Sequence, residues 1–222
     1  MASPDPIHRR VAGSLRHAVA AMLLATASLA ASGGADAATT TRLDFNIAVD
    51  PGAEAATGGT GAVVPIPLWS TTSTMTAVAY GAPGFPSTAY AGTIKGGKDL
   101  FYCGRGTAAS SARQKIKISG RNELIDSGQL KLQTTIRMGT TADDGDAGQL
   151  VVRFLNANGK ILGSLSSATV ANTVGVMNRI LTDAPVPTHT RALRVIVQGT
   201  AGAGPDCDVV FDNVSIHLTN VS

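Results

Sequence analysis

Residues 208–218 read DVVFDNVSIHL, the stretch on which the fold turns. From position 213 onward, apolar Val214, Ile216 and Leu218 alternate with polar Asn213, Ser215 and His217, the period of a half-buried β-strand. Carried back to the start of the strand, the same alternation puts Asp212 on the apolar face. A charge there is costly without a cation or an arginine beside it, so Asp212 is expected to have a partner.

Upstream segments carry related signals. Leu43, Phe45 and Ile47 alternate as a first strand, and Asp50-Pro51-Gly52 then turns the chain and sets Glu54 just beyond the strand end. Residues 66–70 and 74–80 are Thr- and Val-rich, with Pro65 and Pro67 suited to a sheet edge. Residues 81–98, dominated by Gly, Pro, Ser and Thr, read as a long surface loop carrying Phe85 and Tyr90. Strands are expected at 100–103 and 112–118, and NELIDS (122–127) is the best short helix, with Asn122 as its cap. A clear strand at 129–138 is followed by an acidic turn with Asp143, Asp144 and Asp146, and by a strand at 150–155. Asn156-Ala-Asn-Gly159 then makes a hairpin into 161–165, and 176–181 and 192–198 are the last strands before the final one. Many short strands, almost no amphipathic helix and no fixed repeat predict an all-β chain, a β-sandwich of Greek-key jelly-roll type.

The N-terminus carries Arg9, Arg10 and Arg16, an apolar run over 18–31 and small residues ending in Ala35-Asp36-Ala37. This pattern predicts a signal peptide over 1–37 and a single domain over 38–222, secreted to the extracellular side. The surroundings of the paired arginines, HRRVAGSL, lack the preceding Ser and following bulky apolar pair of a twin-arginine signal, which favours general secretion. No second long apolar run follows, so no membrane span is expected. Of the 18 basic and 15 acidic residues, three and two fall in the leader. The remaining cations are scattered, with no aromatic-rich basic strip, which excludes nucleic acid as the expected partner. Cys103 and Cys207 both lie beyond the leader, and in an oxidising compartment a disulfide between them is the default, two buried thiols the alternative.

The series NIAVDPGAEA, LWSTTSTMTAVAYG, ASSARQKIKIS, NELIDSGQLKLQTTIRMG, LVVRFLNANGKILG, APVPTHTRALRVIV and FDNVSIHL covers nearly all of the chain beyond the leader. In order and spacing it resembles bacterial secreted proteins with a galactose-binding-like jelly roll, akin to carbohydrate-binding modules. The resemblance implies a structural calcium between an acidic residue of the first turn and an Asp at the start of the last strand, positions matched here by Glu54 and Asp212. The turn departs from the family pattern in reading DPGAE, and Pro205 and Cys207 stand in the loop before the last strand.

Calcium takes six to eight oxygen ligands, which two carboxylates and turn carbonyls would begin to supply. The alternative is a carboxylate held by backbone amides or by Arg42. Asp143, Asp144 and Asp146 lack the distal Glu of a calcium loop and read as a solvated turn. Trp69, the only tryptophan, is expected in the core rather than on a sugar-stacking face. Candidate ligand-binding residues are Tyr90 and Phe85 in the long loop, and Arg137 and Arg153, which face away from the apolar parity of their strands. For catalysis the inventory is poor: beyond the leader only His189 and His217 remain, with no Gly-x-Ser-x-Gly elbow and no metal-ligand His pair. The expected function is therefore non-catalytic binding of carbohydrate, a cell-wall glycan or an environmental polysaccharide. The alternative is a structural or adhesive protein using the same fold for protein contacts.

Overall fold

Alternating apolar residues build a two-layer structure in the computed structural model, which describes Leu43, residues 45–171 and residues 173–221. The predicted leader and Arg42 lie outside the described residues. One sheet runs β1 (Ser70–Thr72), β4 (Ala109–Lys117), β10 (Ala192–Thr200), β6 (Ala147–Leu155) and β7 (Ile161–Ser166), with β8 (Val170–Ala171) also on β6. The other runs β2 (Thr76–Ala79), β3 (Asp99–Gly104), β11 (Cys207–Asn220), β5 (Leu130–Thr140) and β9 (Asn178–Pro185). All pairings within these sheets are antiparallel, and the inward faces enclose the main core, with Phe101, Phe154, Phe211, Leu132, Ile136, Val152, Val195 and Ile216. This is the predicted jelly-roll sandwich.

The hairpin at 156–160 forms as expected. Asn156 Oδ1 accepts from the amides of Asn158 (3.0 Å) and Lys160 (2.9 Å), and Gly159 takes a left-handed φ of 79°. The Cys103–Cys207 disulfide is also present, with Cα atoms 5.3 Å apart. It joins neighbouring strands, since Cys207 pairs opposite Gly104, and both half-cystines face the core. Gly199 of β10 lies against it: a Cβ at that position would stand 2.5 Å from Cys103 Sγ and 2.8 Å from Cys207 Sγ.

Four expectations are corrected, three of them local. The segment at Leu43, Phe45 and Ile47 is not a strand. Asn46 instead uses its side-chain amide to donate to Val214 O (2.9 Å) and accept from Ile216 N (2.8 Å), while Ile47 N donates to Ile216 O (2.9 Å). A side chain thus does part of the pairing that a strand backbone would do. Residues 81–98 are not a bare loop, because Ser87 caps a short helix, α1 (Thr88–Ile94), accepting from Tyr90 N at 3.1 Å. The helix predicted from NELIDS exists as α2 (Asn122–Asp126), but Asn122 is inside it and Arg121 takes the cap position without a side-chain bond.

The largest correction concerns β11. Val209 and Phe211 face the main core, whereas Val210 belongs to a second apolar cluster on the outer side of the same sheet, with Val78, Tyr80, Leu100, Tyr102 and Met177. The register against β5 shifts between Asp212 and Ser215, and Asn213 adopts a φ of 51°. This β-bulge inserts a residue, so the parity set by Val214, Ile216 and Leu218 does not extend back to Asp212. Asp212 shares its face with Val210. It is buried because residues 80–98, with α1, cover that side.

Candidate functional site

Two chain segments converge on Asp212. The first is the Asp50-Pro51-Gly52 turn, where Asp50 (φ 49°) and Ala53 (φ 64°) take left-handed conformations and Asp50 Oδ1 accepts from Ala55 N at 3.0 Å. Val214 N donates to Pro51 O (3.0 Å), fastening this turn to β11 just past the bulge. The second is the end of α1, where Asn213 Nδ2 donates to Ile94 O (2.8 Å) and the chain passes through Gly96 and Gly97. Glu54 receives the amides of Lys98 and Asp99, each at 3.0 Å.

The Asp212 side chain is fully buried. Its Oδ2 accepts from Tyr80 Oη at 2.6 Å and its Oδ1 from Asn213 N at 2.6 Å. Burial pushes its pKa up to about 8; the charge of Glu54 adds to the rise, while the bonds from Tyr80 and Asn213 and the charge of Arg137 oppose it. Burial likewise raises the Tyr80 phenol well above its ordinary value, with Asp212 contributing. Three glycines line the two carboxylates. A Cβ on Gly52 would lie 2.7 Å from Asp212 Oδ1, one on Gly96 2.5 Å from Asp212 Oδ2, and one on Gly97 would collide with the Glu54 carboxylate. Thus Glu54 and Asp212, 158 positions apart in sequence, are brought together as expected, but on the outer side of the sheet. A cavity of about 640 Å³ adjoins Glu54, lined also by Tyr80, Lys98 and Asp99 among others.

Tyr80→Phe is expected to raise the Asp212 pKa further, since the phenol bond lowers it, and to destabilise the fold at pH 9 by about 1–3 kcal/mol, the ordinary cost of losing a bond to a buried charged group. Carboxyl titration by NMR and a thermal melt check this; an unchanged pKa would remove Tyr80 from the account.

A second acidic group corrects the reading of residues 143–146 as a solvated turn, since Asp146 is fully buried. Asp144 and Asp146 join Asp208 of β11, with ligand oxygens within 4.8 Å of one another, a group that could hold a metal ion. Asp146 is buried and accepts from Gly202 N (2.7 Å) and from Asp208 N. Asp208 Oδ1 accepts from Tyr102 Oη (2.8 Å) and Thr141 Oγ1 (2.9 Å). Asp143, expected in the same turn, is exposed outside this group.

The aromatic and basic candidates divide between the two sheets. Phe85 packs edge-on against Tyr102 at 4.8 Å. Tyr90 Oη accepts from Met177 N (2.6 Å) and donates to Met177 O (3.2 Å), to which Arg137 Nη1 also donates at 3.2 Å. Phe85, Tyr90 and Arg137 therefore gather around one cluster, where these contacts hold the covering segment to its sheet. Arg153 lies on the other sheet. Trp69 is in the core, its Nε1 donating to Asp50 O at 2.9 Å and its ring edge-on to Phe101. No helix among the described residues is long and apolar enough to cross a membrane.

No protein-family model and no curated protein matches the sequence. Solved structures do. The enzymatically active domain of bacteriophage CBA120 tailspike protein 4 aligns over 79% of this chain at 14% identity and a TM-score of 0.53; the chain spans 22% of that structure's length. The Stig cyclase Fisc from Fischerella sp. TAU aligns over 80% of this chain and 99% of its own, at 12% identity and a TM-score of 0.51. The CBM22-1 xylan-binding domain of Paenibacillus barcinonensis Xyn10C aligns over 74% of this chain and 94% of its own, at 11% identity and a TM-score of 0.44. At such identities the likeness is one of fold.

Proposed function

We propose that the chain is an exported, non-catalytic carbohydrate-binding module acting outside the cell, with residues 1–37 as its leader. The observation that carries this reading is the unequal covering of the two sheets. Residues 80–98 and α1 close the outer side of β2, β3 and β11, whereas the outer side of β4, β10 and β6 presents Ser111, Arg113, Lys115, Gln149, Arg153, Arg194 and Gln198. A broad face of hydrogen-bonding side chains on rigid strands suits an extended, hydroxyl-rich chain. The Cys103–Cys207 bond fits an oxidising compartment.

We further propose that Glu54 and Asp212 hold a structural calcium. Two carboxylates that both border Gly52, one of them fully buried, and with no ion pair to either among the described residues, suit a hard divalent cation. The bound ion would supply the positive charge that this burial otherwise lacks.

A glycan array and a polysaccharide pull-down with the leaderless protein test the carbohydrate reading. Retention on at least one polysaccharide, without release of reducing sugar, is the expected result. Capture of a protein partner with no glycan above background would replace it with the adhesive reading, and product release would make the protein an enzyme.

A further inference from the structure

The six strands of the β1-β4-β10-β6-β7 sheet, β8 included, contain no Asp or Glu, yet β4, β6 and β10 contribute Arg113, Lys115, Lys117, Arg153 and Arg194. The strand registers put three of these cations in one row: Lys115 is opposite Arg194, and Arg194 is opposite Arg153. Arg113 and Lys117 flank the row two residues away on β4. All five alternate with core residues and so point outward. None of them takes part in an ion pair among the described residues, where the salt bridges are those of Asp126 with Arg191 and His189.

Like charges directly opposite each other across strands destabilise a sheet. Three in a row, with no acid on any strand of the sheet, form a surface that is relieved by an anionic partner. The row crosses the strands, so its charges repeat at about the 4.8 Å strand spacing, close to the length of one sugar ring. Two hollows border it and share Lys115: one of about 330 Å³ reaching Arg113, Ser70 and Arg194, the other of about 260 Å³ reaching Lys117 and Asn156. The only aromatic residue on these strands, Phe154, is buried in the core, so ring stacking on a neutral sugar is not offered here.

We propose that this face binds an acidic polysaccharide, its uronate carboxylates or sulfate esters seated along Lys115, Arg194 and Arg153. This rests on the carbohydrate-binding reading and deepens it by naming the ligand class. The test measures binding of polygalacturonate, chondroitin sulfate, neutral xylan and a DNA duplex to the wild type, to a Lys115→Ser/Arg153→Ser/Arg194→Ser triple variant, and to Arg179→Ser on the other sheet. The wild type should bind one or both acidic glycans in preference to xylan and DNA, more weakly as salt rises. Binding of polygalacturonate shows that carboxylates suffice; binding of chondroitin sulfate alone, which carries both uronate and sulfate, shows that the sulfate is required. The triple variant should lose affinity on the order of tenfold or more, as expected for three exposed pairs of ordinary strength. Arg179→Ser should bind as the wild type does.

A thermal melt accompanies each variant. The triple variant should melt no lower than wild type, because it relieves repulsion; if it does not fold, the single Arg153→Gln and Arg194→Gln variants carry the comparison. Unchanged acidic-glycan binding in the folded variants would overturn the assignment, as would equal binding of DNA. Binding of xylan alone would overturn it while leaving the carbohydrate reading standing, and binding of no glycan would remove both.

Discussion

Replacing Cys103 and Cys207 together by alanine is expected to lower stability by about 4–5 kcal/mol, the chain-entropy figure for a loop of about 100 residues. The two cysteines are 104 positions apart. For a domain of this size the loss corresponds to a fall in Tm of about 8–20 °C. Both half-cystines are fully buried in the main core, so alanine is the better probe; serine would add a buried hydroxyl. Gly199 provides an independent check. Gly199→Ala should be strongly destabilising in the wild type, where its Cβ meets both sulfurs, and markedly less so in the double alanine background. The two changes touch the same space, so their effects should not add. Denaturant melts of the four proteins decide it, and strictly additive losses would mean that Gly199 is needed for another reason.

Saturating calcium is expected to raise the Tm of the wild type, and a chelator to lower it; at a free calcium of 100 times Kd the gain is about 2.7 kcal/mol. Asp212→Ala should abolish the response. The pH dependence in chelator follows from the raised carboxyl of Asp212. With a folded pKa of about 8 and an ordinary unfolded one, the native state keeps a proton that the unfolded chain releases. Stability should therefore fall as pH rises from about 4 to about 8, by an amount on the order of a few kcal/mol, and level off above. Asp212→Asn, which cannot ionise, should flatten this dependence. Bound calcium displaces the proton, so its stabilising effect should grow over the same interval. Melts with no calcium response at any pH would reject the ion, and a wild type that keeps its stability from pH 4 to 8 in chelator would reject the raised pKa.

The fold was legible because most segments keep one period: β5 alternates buried and half-buried residues from Leu130 to Met138, and Asn156-Ala-Asn-Gly159 can do little except turn. The meeting of Glu54 and Asp212 was legible through the resemblance. The side of the sheet on which they meet was not, because nothing in VVFDNVSI announces a bulge; the nearest signal is Asn213, a residue type that tolerates the left-handed φ a bulge can require. Asp208 was missed as the third acid beside Asp144 and Asp146 for a different reason. Their proximity depends on β11 pairing with β5, a contact between residues about 70 positions apart, and local periodicity carries no information about it. The cationic row has the same origin. Lys115, Arg153 and Arg194 look scattered along the chain, and become a line only through two strand registers.

The central place of β11 also sets the order in which the molecule can be completed during synthesis. In its sheet β2 pairs with β3 and β5 with β9, and β11 is the strand between the two pairs. A nascent chain that has not yet delivered residues 207–220 holds two separate hairpin-like pairs, an unmatched Cys103 and no seat for Asn46. The sheet, the disulfide and the carboxylate pair are all finished by one late-emerging segment. A ribosome-stalled series of leaderless chains, translated under oxidising conditions, should therefore stay protease-sensitive until β11 clears the exit tunnel, then become resistant in a single step.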